Sequence, residues 1–581
     1  MAATEAQPAP AAVSARAARV RAWVGGTLVA AVAAWQLHHL LLWTPARLTI
    51  HGLLADDAFF YSVLARNFTR FGFLTLDGEM PTNGVQPLWM ALQMLLVGIF
   101  PGVHEVRLLA ISSWLIYALV CMLTVGYLVR AHRQGVFVAL IVAGLVLLNP
   151  RFQAWVVQGL ETPLCLLWFI LLCYALKGTA AFCRTAPRQL RSSRALVLGL
   201  LAALCFLTRT DHFWVPAILA LWLFLGRRVD RRGAAAYLVP LALLALPYLG
   251  YNLFAHGGLM PISGRVKLFY LHSFFDSGLQ YLTSDAWWAI FHAFSDPSPF
   301  PIPYPVPWTL ILLGAAFFLV WKVRRSDAAF FPLRLLALAM LGHLLTLSVF
   351  YRELMTRNAY YFAPTLLWAV LVYALWLADP RPAGTDRERL RPSWRRPRAW
   401  LAPLAAAGAL LIAFTAWQQR DLAVEPYWLK RMQLAEDIRR MVPPHERVAA
   451  FWPGVFAQFC GREVTPLDGV IGSREYFRDY VRPGRELDYI LERTRPYLAV
   501  HLPMYPDSLL AEEAPPIPSW TRIGVRRIWE RRDALRYHVL SARRVAKGEG
   551  GWCLLAVEPR MPVAIQPPRA ASPAPEPSSK P

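Results

Sequence analysis

The stretch Leu88-Trp89-Met90-Ala91-Leu92-Gln93-Met94-Leu95-Leu96-Val97-Gly98-Ile99-Phe100 decides how the chain is threaded, because counting it as a membrane crossing reverses every loop that follows. Laid along the membrane surface, it gathers Arg130, Arg133, the stretch from Lys177 to Arg194, Arg227 to Arg232, Lys322 to Arg325 and Arg381 to Arg398 on one side. The N-terminal Arg16, Arg19 and Arg21 join them there, as the positive-inside rule asks of a cytoplasmic face. Counted as a crossing, the stretch would send the most basic loops through the bilayer. We therefore read it as a surface segment, with residues 45–105, 255–307 and everything after Gln418 outside.

Working outward, the run from Ala22 to Trp43 lacks the small-residue cleavage site of a signal peptide and reads as an uncleaved first span. Further apolar runs lie near 106–129, 136–149, 162–176, 195–208, 213–226, 234–254, 308–321, 328–350, 359–378 and 400–417. Several are shorter than the roughly 20 residues that a span needs, and the total comes to about eleven spans. The short pair flanking Arg209 predicts a hairpin that starts in a recessed, water-filled cavity.

Composition agrees. Of 581 residues 56% are hydrophobic and 17% charged, with mean hydropathy +0.37, which excludes a soluble enzyme and a secreted disulfide scaffold. The formal charge of +23 lies between apolar runs, so it sets topology and does not mark a nucleic-acid partner. The 23 Trp and 21 Tyr suit the aromatic belts of a bilayer, and the seven Cys show no metal-ligand spacing.

The expected architecture is a polytopic α-helical membrane protein with a C-terminal soluble α/β domain. Residues 1–21 form a basic cytoplasmic segment, 22–417 the transmembrane domain with the first outer loop at 45–105, 418–560 the outer α/β domain, and 561–581 a disordered Pro/Ala/Ser-rich tail. In the outer domain, Trp428 to Met441 and Glu475 to Arg493 read as helices. Val448 to Trp452, Tyr497 to His501 and Cys553 to Val557 read as strands. Cys460 and Cys553 would meet an oxidising compartment, yet both lie in apolar contexts where a free, buried Cys is common.

The first outer loop carries Asp56-Asp57-Ala58-Phe59-Phe60-Tyr61, followed by a pattern in which Phe60, Leu64 and Phe68 share one face of a helix expected on the membrane surface. Paired carboxylates at the mouth of an apolar cavity can accept a hydroxyl proton or hold a divalent cation, Mg or Mn. Either job suits group transfer to an alcohol. The competing reading is helix capping, with Asp56 as N-cap and Asp57 complementing the dipole. Downstream, Pro81-Thr82-Asn83-Gly84-Val85-Gln86-Pro87-Leu88-Trp89 combines turn chemistry with a proline suited to open a helix.

These two stretches, in this order, resemble the bacterial GT-C superfamily of polyprenyl-phosphate-sugar-dependent glycosyltransferases, of which the cell-wall arabinofuranosyltransferases are similar members. The resemblance runs on through Gly159-Leu160-Glu161-Thr162-Pro163, Leu207-Thr208-Arg209-Thr210-Asp211, Tyr251-Asn252, Pro261-Ile262-Ser263-Gly264 with Lys267, and Tyr360-Tyr361-Phe362-Ala363-Pro364. Gly454, Gly461 and Leu467-Asp468-Gly469-Val470 extend it into the outer domain. Gln86 stands where many relatives carry His, so the resemblance gives no proton or metal role there.

The resemblance implies an inverting transfer on the outer side of a bacterial inner membrane, from a polyprenyl-phosphate sugar to a hydroxyl of a glycan, glycolipid or protein. It places the base at the outer end of the first span, which points to Asp56, with Asp57 assisting. A phosphodiester leaving group departs as an anion and needs electrostatic stabilisation more than a general acid. Lys267, Arg209 and Arg265 are the candidate phosphate-binding cations, with Arg352 and Arg357 as outer residues that could equally snorkel to headgroups. Asn83, Gln86, Glu161, Asp211 and Tyr361 are the candidate substrate contacts. Arg209 could instead form a structural ion pair with Asp211 or Glu161. The reading from another class is a transporter or flippase of lipid-linked sugars, which paired half-chain repeats would favour; none is visible. A third makes the outer domain a binding module on a catalytically inactive scaffold, against which the intact aspartate pair argues.

Overall fold

The computed structural model describes residues 37–38, 40–131, 147, 153, 156–185, 189–271, 308–322, 330–350, 359–378, 424, 426–493, 497–502, 535–544 and 551–559. Most of the apolar runs 22–43 and 136–149, and all of the run 400–417, the linker 379–398 and the tail 561–581, lie outside the described residues.

Helix α1 (Asp56–Phe71) starts after Ala55, which caps it without a side-chain bond, and stops at Gly72 in the left-handed region at φ 80°. Asp56 is therefore the first helical residue and not the cap. Both acids still lie in the positive first turn of the helix dipole. The surface-helix expectation fails here. Phe60 and Leu64 are buried along with Phe59, Tyr61 and Val63, and of the proposed face Phe68 alone is exposed. The helix is covered on both sides: by α2 (Pro87–Ile99) and α3 (Glu105–Ala131), and by a short helix of the C-terminal unit described below.

Helix α2 opens on Pro87, whose missing N–H costs nothing at a first helical position. Its 13 residues extend about 20 Å, well short of a hydrocarbon core of about 30 Å. It is anchored by Trp89, whose indole N–H donates to Gly159 O at 3.1 Å, while Leu95, Ile99 and Phe100 stay exposed.

Next come α4 (Thr162–Thr185), α5 (Ser192–Thr208), α6 (Trp214–Leu225), α7 (Arg231–His256), α8 (Ile262–Leu271), α9 (Trp308–Lys322), α10 (Phe331–Phe350) and α11 (Ala359–Ala378). Among the described residues, three stretches, Glu105–Arg130, Thr162–Thr179 and Arg231–His256, are long and apolar enough to cross a membrane. Leu225, Leu243 and Phe254 expose 78%, 68% and 86% of their surface, apolar area that suits contact with lipid. The chain is an integral membrane protein. Helices α5 and α6, of 17 and 12 residues, meet at Arg209, which is extended between them at φ −149°, ψ 121°.

The C-terminal unit comprises α12 (Pro426–Met441), β1 (Val448–Ala450), α13 (Gly454–Phe459), β2 (Val464–Pro466), α14 (Glu486–Glu492), β3 (Tyr497–Leu502), β4 (Leu535–Arg544) and β5 (Gly551–Pro559). The sheet order is β2-β1-β3-β5-β4; β1 is parallel to β2 and β3, and β5 is antiparallel to β3 and β4. Strands β2 and β4 are absent from the sequence expectation. The single helix expected from Glu475 to Arg493 is broken into a turn at Arg474–Tyr476, a π-turn at Phe477–Val481 and α14. The cause is Pro483-Gly484: proline lacks the N–H a helix needs, and Gly484 turns at φ 73°. Cys460 and Cys553 are free and buried, and burial pushes their thiols up to about 11 and about 12.

Helix α8 joins the two halves. Ile262 and Val266 share an apolar cluster with Ala449, Phe451, Leu498 and Leu555 of the sheet region.

Candidate functional site

A pocket lies where α1, the 84–86 loop, the 160–161 turn, Arg209, α8 and residues 470–471 converge. Asp57, Tyr61, Gln86, Glu161, Arg209, Ser263 and Lys267 supply its polar lining, and Phe60, Val85, Leu160 and Ile471 contribute apolar walls.

Successive helical residues point about 100° apart, so the two acids of α1 part company. Asp57 lines the pocket. Asp56 faces the C-terminal unit, where its Oδ1 accepts from Arg431 Nη2 at 2.6 Å and from the Val455 N–H at 3.0 Å. Arg431 is 1% exposed and lies among the rings of Trp552, Trp428, Phe456 and Tyr427, at 4.8 to 5.7 Å from their centroids. The guanidinium is thus held by one carboxylate, the Trp452 carbonyl oxygen and four aromatic groups. Gly454 permits this approach, since a Cβ there would stand 2.2 Å from Asp56 O. Ser62 donates to Gln458 Oε1 at 2.8 Å in the same contact.

One turn beyond Asp57, the Tyr61 hydroxyl donates to Glu161 Oε2 at 3.1 Å and accepts from the Gln86 N–H at 3.2 Å. Burial, then the adjacent Glu161 carboxylate, push the phenol well above its usual value, so Tyr61 stays a neutral donor. Sequence reasoning left it out, although its position four residues after Asp57 on one helix face signals a shared wall.

Arg209 is bound by two carboxylates. Its Nη1 donates to Glu161 Oε1 at 2.5 Å, and its Nε and Nη2 form a fork onto Asp211 at 3.0 and 2.7 Å. The structural ion pair and a pocket-facing position thus coexist in one side chain. Gln86 Oε1 accepts from the Thr210 N–H at 3.3 Å, tying the loop to the Arg209 segment.

Asn83 does not line the pocket. It is buried, donates to Asn252 Oδ1 at 2.9 Å and accepts from the Ile262 N–H at 2.9 Å, so it fastens the loop to the start of α8. Lys267 on α8 reaches the pocket lining. Arg265, two residues earlier and so about 200° round the helix, faces elsewhere. It donates to His256 O at 2.7 Å and lies over Phe477. Burial, with Arg474 and Arg482 nearby, lowers its pKa from the usual arginine value. The Tyr361 side chain and residues Arg352 and Arg357 lie outside the described residues.

Of the acid pair expected to hold a cation, Asp57 faces the pocket while Asp56 Oδ1 is bonded to Arg431 and a backbone N–H. Among the described residues, the ligand-type group that comes together is Asp211, His212 and His343. His343 on α10 carried no motif that a linear reading could single out.

No protein-family model and no curated protein matches the chain. Among solved structures it is similar to ArnT from Cupriavidus metallidurans in the apo state, at 14% identity and TM-score 0.48 over 93% of this chain and 98% of that one. It is also similar to archaeal oligosaccharyltransferase AglB from Archaeoglobus fulgidus, in complex with an inhibitory peptide and a dolichol-phosphate. That match has 13% identity and TM-score 0.46 over 80% of this chain and 69% of that one. At identities and TM-scores this low neither lends a family or a residue role to this chain.

Proposed function

We propose that the chain is a glycosyltransferase that moves a sugar from a polyprenyl-phosphate donor to an acceptor hydroxyl, with the reaction in the pocket between α1 and α8. The observation that carries this reading is the pocket lining: Asp57 faces the same space as two cations, Lys267 and Arg209, and the second carboxylate there, Glu161, is already paired with Arg209. Asp57 accepts the proton of the acceptor hydroxyl as its oxygen attacks the anomeric carbon. The bond from that carbon to the phosphate oxygen breaks, and the lipid phosphate departs with the electron pair. Lys267 binds the departing phosphate as a point charge. Arg209, neutralised in part by Glu161 and Asp211, contributes its remaining donor capacity. Asp56 is a positioning residue in this scheme, since its Oδ1 is paired with Arg431 on the side facing the C-terminal unit.

The apolar surface around the helices suits a donor whose chain stays in lipid, and the C-terminal unit, through residues 470 and 471, closes one wall of the acceptor side. With the basic loops inside, the pocket and the C-terminal unit belong outside the membrane. The test offers purified protein a panel of polyprenyl-phosphate sugars with a cell-envelope extract and measures free polyprenyl phosphate. Release with one donor, lost in Asp57→Asn, is the expected result. No release from any donor would overturn the transferase and favour transport of lipid-linked sugars.

A further inference from the structure

Arg209 leads from the pocket to a second polar cluster. Its guanidinium is shared by Glu161 and Asp211, two carboxylates against one cation, so the trio carries one negative charge in excess. Beside Asp211 stand His212, just ahead of α6, and His343 of α10, which are 4% and 1% exposed. Their rings meet edge to face with centroids 4.5 Å apart. Neither Nε2 of His212 nor either ring nitrogen of His343 has a hydrogen-bond partner. Buried polar nitrogens are normally satisfied, and these lie together beside an excess negative charge.

We propose that Asp211, His212 and His343 bind a divalent transition-metal ion of the zinc class through Asp211 Oδ2, His212 Nε2 and a ring nitrogen of His343. Ligand atoms of the three residues lie within 4.8 Å of one another. Asp211 Oδ2 and His343 Nε2 are 3.5 Å apart. That is an ion-pair contact, longer than an ordinary hydrogen bond and close to the edge of a tetrahedron with metal–ligand bonds of about 2.1 Å. Two imidazoles and one carboxylate suit zinc better than magnesium or calcium, which prefer all-oxygen sets. Oδ2 accepts one bond from Arg209 Nη2 and retains a second lone pair, and Oδ1 accepts from Arg209 Nε. Arg209 is then the outer-shell partner of a ligating carboxylate, an arrangement that orients such ligands. The ion offsets the excess negative charge, pins the start of α6 to α10, and holds Asp211 where it fixes Arg209 at the pocket wall. Its role is to position Arg209, and no atom of the transferred sugar need touch it.

The experiment uses the full-length protein in detergent, purified without metal-affinity chromatography, mixed with one equivalent of zinc chloride, desalted and assayed by mass spectrometry of the metal. Wild type retains about one zinc per chain, and His212→Ala and His343→Ala fall below about a tenth of that. His343→Cys restores a ligand: it keeps the metal and, loaded with cobalt, shows a thiolate-to-cobalt charge-transfer band that wild type lacks. This variant guards against loss of metal through misfolding of the alanine variants. Wild type that retains no zinc, alanine variants that keep it, or a cysteine variant without the band would each overturn the site. The first result would leave the direct contact between His343 and Asp211 as the cluster's role. Metal content needs no sugar donor, so this outcome is independent of the transferase proposal.

Discussion

Asp56 and Asp57 are adjacent in sequence and differ in every physical respect that matters to their roles. Asp56 is 4% exposed and paired with an arginine that is 1% exposed. Removing one partner of such a pair strands a buried charge, at about 3 to 5 kcal/mol. Asp56→Ala is therefore expected to lower the melting temperature sharply, read by thermal unfolding in detergent. Asp57→Asn should leave melting unchanged and lower turnover by about a hundred- to ten-thousand-fold, the range for a lost general base. Near-normal turnover in Asp57→Asn, with loss in a normally melting Asp56→Asn, would move the proton to Asp56. Lys267→Gln should weaken use of the lipid-phosphate donor by roughly 2 to 4 kcal/mol of transition-state contact, read as a fall in kcat/KM for the donor. Unchanged kcat/KM would make Lys267 a bystander and assign the phosphate to Arg209.

Helix α1 owes its position to being gripped from both sides. Apolar contacts to α2 and α3 hold it from the membrane half. Arg431, Val455 and Gln458 hold it from the C-terminal unit. The tightest point of that grip is Gly454, where a Cβ would lie 2.2 Å from Asp56 O and 2.7 Å from its Oδ1. Gly454→Ala should cost about 1 to 3 kcal/mol by forcing α13 away from α1, and should lower turnover by displacing Asp57. An alanine variant that melts and turns over like wild type would show that the contact yields without moving the acid. The same dependence on neighbours explains why α1 is buried although its own pattern suggested a surface helix. Amphipathic spacing reports that a face must be covered, not what covers it.

At the scale of the whole molecule, the charge distribution predicts that the C-terminal unit faces outside while the loop from Arg381 to Arg398 faces the cytoplasm. Single cysteines test this on a background free of the native ones. An impermeant thiol reagent applied from outside should label a cysteine at Arg440, whose side chain is 72% exposed, and miss one at Thr385. The reverse labelling would invert the topology and remove the pocket from the side proposed for the reaction.

The sequence by itself pointed to the membrane character, the short Pro87-initiated helix and strands in the C-terminal unit, and it singled out Asp57, Gln86, Glu161, Arg209 and Lys267, which line the pocket. These follow from local quantities: hydropathy, proline chemistry, strand alternation and the order of short motifs. It did not reveal β2 or β4. A three-residue strand such as Val464–Pro466 has too little alternation to register. Only the tertiary structure decided that Asp56 turns to Arg431 while Asp57 turns to the pocket, that Asn83 is a fastener, and that His343 meets His212 and Asp211. Those outcomes depend on partners more than a hundred residues away, and a linear pattern carries no record of which distant side chain will satisfy a buried charge.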